Sequence, residues 1–127
     1  MIEKLANARL RGDKAAWVAS PFCANERAAK FLYGRAWQGA TLAFDEGQLA
    51  VMDSKLLDKL PIRNIQAYSS GVEGALFSIH VDMADDMRLK PSLGTDTIII
   101  TLPPGELHLR CTKAGDVLAA MEAARSK

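Results

Sequence analysis

Cysteine and histidine are scarce in this sequence, which holds two of each in 127 residues. A secreted disulfide scaffold of this length would carry more cysteine, so Cys23 and Cys111 read as small packed residues rather than a bridge. An excess of one charge is also missing: 16 Lys and Arg stand against 15 Asp and Glu, a net charge of +1. That balance excludes a globally basic nucleic-acid-binding surface and leaves room only for a local patch. Long apolar runs are absent as well. Ile98-Ile99-Ile100 is the longest strongly apolar run, far short of the roughly 20 residues a membrane-spanning helix needs. The opening MIEKLANARLRGDK contains no stretch fit for a signal peptide. A soluble, cytoplasmic chain forming a single domain over residues 1–127 is the expectation.

What the sequence does contain is alternation. In Thr41–Ala67, Leu42 and Phe44 alternate with Thr41, Ala43 and Asp45, and Leu49 and Val51 alternate with Gln48, Ala50 and Met52. Period-2 patterning marks strands with one buried face, and Asp45-Glu46-Gly47 supplies a hairpin turn between them. A third strand is expected after Pro61, with Ile62, Ile65 and Ala67 as its apolar positions. Further strands are expected at 75–83, 95–102 and 106–112, the last two joined at Pro103-Pro104-Gly105. Between them, 84–94 reads as a polar loop. Residues 113–125 carry Ala114, Val117, Leu118, Met121 and Ala124 at helical spacing, with Thr112 as cap.

The N-terminal third is less regular. Ile2, Leu5, Ala6 and Leu10 lie near one face of a helix over 1–14, which Gly12-Asp13 ends or loosens. Residues 15–22 read as a strand closed by Pro21. Asn25 caps a helical turn that begins at Glu26 and runs into an extended segment by Trp37.

Chemistry is sparse. His80 and His108 fall on the polar phases of their strands near Asp82 and Glu106, which sketches a metal site without a local ligand-spacing motif. Cys111 lies on an inward phase, and Cys23 has no histidine near it in sequence, so neither suits a nucleophile. Ser69-Ser70-Gly71-Val72-Glu73-Gly74 lacks the Gly-Lys-Ser/Thr ending of a phosphate loop. Asp82, Asp85 and Asp86 lack the pattern of a calcium loop and read as a solvated loop or an acidic contact surface. Arg27, Lys30 and Arg35 interleave with Phe31, Tyr33 and Trp37, a pattern that serves packing more often than single-stranded nucleic acid.

Gly39-Ala40-Thr41-Leu42-Ala43-Phe44-Asp45-Glu46-Gly47 with Leu49-Ala50-Val51, then Leu60-Pro61-Ile62 with Ile65, and the closing helix from Lys113 to Ala124, together resemble bacterial pleckstrin-homology-like domains. The resemblance covers residues 39–125 and leaves 1–38 as an N-terminal extension. It implies an α+β fold, mainly antiparallel: a half-open barrel of about seven strands plugged by the C-terminal helix. It also implies a binding or assembly module without cofactor or catalytic residues. Asp45-Glu46 stand where phosphoinositide-binding members place cations, and they would repel a phosphorylated headgroup.

The expected function is therefore a non-catalytic module that binds a protein partner or itself. Trp17, Phe22, Phe31, Tyr33 and Trp37 exceed what a small barrel buries and are the candidate interface. The alternatives are a metal-dependent protein using His80 and His108, a membrane-surface binder using Arg9, Arg11 and Lys14, and a small inhibitor or accessory protein from a mobile element.

Overall fold

A computed structural model describes residues 2–34, 38, 40–53 and 75–125, with the backbone alone for Phe31 and Asp53. Two four-stranded antiparallel sheets share one core. The chain enters as β1 (Ile2–Lys4) and β2 (Asn7–Gly12), and the step between them moves it from one sheet to the other. At that corner Leu5 N–H donates to the Ala40 carbonyl at 2.9 Å and Ala6 N–H to the Arg110 carbonyl at 2.6 Å.

This start corrects two expectations. Residues 2–12 are not helical, because their strand pairings satisfy the backbone in both sheets: Glu3 sits opposite Leu42 and Ala8 opposite Leu109. Ala8 and Leu10 point into the core while Arg9 and Arg11 point out, a period of two that helical spacing of Ile2, Leu5, Ala6 and Leu10 had masked. For the same reason residues 1–38 are not an appendage, since their strands belong to both sheets.

Residues 15–22 are likewise not a strand. Helix α1 (Lys14–Ala19) is capped by Asp13, whose Oδ1 accepts from Ala15 N–H at 2.9 Å and Ala16 N–H at 3.2 Å. Asp13 starts a helix instead of ending one, because a carboxylate at that position satisfies donors no helical carbonyl reaches. Helix α2 (Glu26–Gly34) follows, and Asn25 caps it as expected, with Ala28 N–H donating to Asn25 Oδ1 at 2.8 Å.

The hairpin of β3 (Ala40–Asp45) and β4 (Gln48–Asp53) forms in the expected register, with Leu42 opposite Val51. Positive φ at Glu46 (49°) and Gly47 (83°) gives the two-residue turn whose twist matches the strands. The strand expected after Pro61 lies outside the described residues. Strand β5 (Ala75–His80) completes the first sheet, and a 3-10 turn (Val81–Met83) follows it. The outer edge of β5 is covered in part by the α1–α2 connection: Ser78 N–H donates to the Phe22 carbonyl and Ala24 N–H to the Leu76 carbonyl.

The expected polar loop at 84–94 contains β6 (Asp86–Lys90). Within β6 only Met87 is buried, and Asp86, Arg88 and Lys90 are exposed. Charge on a sheet-edge strand blocks pairing with other chains, and the same charge makes the segment look like a loop in sequence. Strands β7 (Thr97–Leu102) and β8 (Gly105–Arg110) form the expected hairpin and complete the second sheet in the order β2-β8-β7-β6. The closing helix α3 (Ala114–Ala124) forms as expected, but its cap position is Lys113, with no side-chain cap hydrogen bond, and not Thr112. Ala114, Val117, Leu118 and Met121 are its buried stripe, and it packs beside β6, β7 and the 3-10 turn, where β5 and β6 are not paired. Among the described residues the strands thus form two sheets joined at the β1–β2 bend, not a closed barrel. No helix among the described residues is long and apolar enough to cross a membrane.

Candidate functional site: the basic outer face of the second sheet

Strand register decides which side chains meet on the solvent face of the second sheet. The pairings line up Arg9, His108, Ile99 and Arg88 in one row across β2, β8, β7 and β6. Arg11, Glu106, Thr101 and Asp86 form the next row, and Asn7, Arg110, Thr97 and Lys90 the third. Inward neighbours such as Leu10, Leu107, Ile98 and Ile100 are fully buried, which pins the face, since a slip of one residue would turn every cation into the core.

Five cations therefore stand with two carboxylates on one face of a chain whose net charge is only +1. Arg88 Nη2 donates to Glu106 Oε2 at 3.0 Å, and Arg88 Nη1 lies 3.6 Å from Asp86. His108 Nε2 lies 3.0 Å from Glu106 Oε1. Hydrogen bonds from His108 and then Arg88 hold the Glu106 carboxyl below its ordinary pKa. Ile99 is 3% exposed although it is on the outer face, so the long side chains around it close over an apolar floor. Arg9 Nε is buried without a hydrogen-bond partner. Arg110 Nε braces the β6–β7 loop by donating to the Thr95 carbonyl at 3.1 Å.

The residues singled out from sequence are placed elsewhere or used differently. His80 stands in the first sheet and His108 in the second. His80 Nδ1 accepts from Asp82 N–H at 3.1 Å, capping the 3-10 turn. The two histidines are not brought together, and no group of three or more potential metal-ligating side chains occurs among the described residues. Trp17 and Phe22 are core residues, packed at a tilt against Phe77 at centroid distances of 5.8 and 6.3 Å. Their rings are not free for a partner, because the helical insert packs them against the first sheet. Tyr33 is half-buried, and its hydroxyl donates to the Gly12 carbonyl at 2.7 Å. The Phe31 side chain, Trp37 and residues 69–74 lie outside the described residues. Of the proposed lipid-binding cations, Arg9 and Arg11 join the basic face, whereas Lys14 starts α1.

The remaining cations, Arg88, Lys90 and Arg110, were not recognised from sequence. Their alternation along β6 and β8 was the available signal, but only the register places them beside Arg9 and Arg11.

Both cysteines are buried and unbridged. Burial pushes the Cys23 thiol up to about 11, against a smaller opposing hydrogen bond from Ser20, and burial raises Cys111 as well. In the folded protein at pH 8 neither thiol is expected to react with a disulfide reagent at even about a tenth of the rate of an open thiol, while both react at once in denaturant. Rapid labelling of either in the native state would contradict their placement.

A scan against protein-family models finds no match for this chain, and a search of curated proteins finds none. The functional reading therefore rests on the face itself.

Proposed function

We propose that this chain is a non-catalytic binding module, with a pleckstrin-homology-like strand arrangement, that captures an acidic protein surface on the outer face of its second sheet. The observation that carries this reading is the concentration of Arg9, Arg11, Arg88, Lys90 and Arg110 on one face of a near-neutral chain. Such a field steers an acidic partner and fixes its orientation. The fold reading has its own support. Counting β1 and β2 as one bent strand gives seven strands among the described residues, ordered 1-2-3-4 in one sheet and 1-7-6-5 in the other, with a helix beside the unpaired β5 and β6.

A protein fits better than nucleic acid or lipid. Asp86 and Glu106 interrupt the cations and would repel a dense phosphate array, and the three rows contain no Phe, Tyr or Trp on which a base could stack. The apolar residue of the face, Ile99, is buried and presents nothing to insert into a bilayer.

Binding of a labelled polyglutamate peptide, followed by fluorescence anisotropy, tests the reading. Wild-type protein should bind it, with affinity falling as salt rises. The R88E/K90E variant should bind at least about tenfold more weakly. Equal binding by the variant, or stronger binding of wild type to homopolymer RNA or phosphatidylserine vesicles, would overturn it.

A second copy of the chain is the favoured partner in one specific version. The β3–β4 turn and the 3-10 turn are neighbours, held by Val81 N–H donating to the Gly47 carbonyl at 2.9 Å. This brings Asp45, Glu46 and Asp82 to one acidic corner, which complements the basic face in a head-to-tail contact. Light scattering at low salt should then show mass rising with concentration, and R88E/K90E should remain monomeric.

A further inference from the structure

We infer that the cleft above Ile99 is a carboxylate-binding subsite that Glu106 occupies in the free protein; this rests on the acidic-partner reading above. The cleft measures about 560 Å³ and is lined by Arg11, Arg88, Lys90, Ile99, Glu106 and His108 among others. Three of these are cations and one is a carboxylate, and that carboxylate is already bonded to the most central cation. Arg88 starts on β6 opposite Ile99 and reaches across β7 to Glu106 on β8. Its Nη2 donates to Glu106 Oε2 at 3.0 Å, while Nη1 lies 3.6 Å from Asp86 beside it on β6.

Glu106 occupies the place a partner's carboxylate would take. A guanidinium recognises a carboxylate in a planar, two-bond geometry that an ammonium cannot reproduce. The internal pair is exposed, with 49% of the Arg88 side chain and 34% of the Glu106 side chain open to solvent. An ion pair in water holds weakly, so an arriving carboxylate displaces it at small cost. Glu106 remains supported after displacement, because its other oxygen already faces His108 Nε2 at 3.0 Å. Arg11 and Lys90 flank the site and make no ion pair among the described residues. The ligand class is therefore a glutamate- or aspartate-bearing segment of a protein, received one side chain at a time.

The experiment is a double-mutant cycle with the polyglutamate peptide as probe. Glu106→Gln keeps the shape and removes the internal competitor, so it should bind the peptide about fivefold tighter than wild type. The gain should vanish when Arg88 is also replaced: E106Q/R88Q should bind no tighter than R88Q. A gain of equal size in both backgrounds would reveal only a through-space charge effect and would overturn the inference, as would no gain at all. Either result leaves the acidic-partner reading standing if wild type binds the peptide. Failure of wild type and E106Q alike to bind it would overturn both.

Discussion

Replacing Trp17 with alanine should lower the stability of the fold by about 3–5 kcal/mol, the range for truncating a large aromatic in a packed core. Trp17 is fully buried. Its ring lies 5.8 Å from that of Phe77 on β5 and 6.4 Å from that of Phe22, and its Nε1 donates to the Arg11 carbonyl at 2.9 Å. One side chain thus ties the helical insert to the first sheet and to the end of β2 in the second. Truncation empties the space among the rings and removes a donor from a half-buried carbonyl, and both effects act in the same direction. Because domains of this size are stable by roughly 5–15 kcal/mol in all, the variant sits near the unfolding threshold. Urea unfolding followed by circular dichroism measures it, and Trp17→Phe, which keeps most of the apolar volume, should lose clearly less. A loss below about 1 kcal/mol for the alanine variant would show that this ring trio is not the anchor of the insert. Since β2 carries Arg9 and Arg11, the same variant should also weaken the basic face, through its scaffold rather than its charge.

The second large effect is expected at Gly105. Strands β2 and β8 meet at their ends with Gly12 opposite Gly105. A Cβ added at Gly105 would collide with the Arg11 carbonyl oxygen and lie 3.0 Å from Gly12 Cα, all of it backbone that cannot swing aside. The φ of Gly105 is +155° and that of Gly12 is +113°, and side-chain-bearing residues rarely adopt either. Gly105→Ala must therefore separate the strand ends or twist the turn, at a cost of about 3 kcal/mol from overpacking and strain together. Gly94→Ala is the informative comparison. Its φ is +90°, but no atom lies within 4 Å of the added Cβ. It should cost about 1 kcal/mol, the torsional part alone. Equal melting midpoints for the two variants would mean that close backbone approach is not what makes Gly105 necessary.

Local signals were readable in the chain. The β3–β4 and β7–β8 hairpins follow from alternation interrupted by turn residues, and both elements of each pair lie side by side in sequence. Asn25 and the alanine-rich stripe of α3 were legible for the same reason, since caps and helical faces are properties of a few neighbouring residues. The N-terminus was not, because Ile2, Leu5, Ala6 and Leu10 satisfy a helical spacing as well as a bent strand, and the strand is chosen by partners such as Leu42 and Leu109 far along the chain. β6 was hidden by its own edge charges. Trp17 and Phe22 looked surplus only because a small barrel was imagined without the helical insert that buries them.

By composition and periodicity alone the chain is committed to antiparallel strands and a helical end, because those traits follow from residue types and short-range spacing. The tertiary structure alone decides the basic face. Arg9, Arg11, Arg88, Lys90 and Arg110 come from three separate strands, and an alternating cation acquires neighbours only when hydrogen-bond register sets one strand against the next.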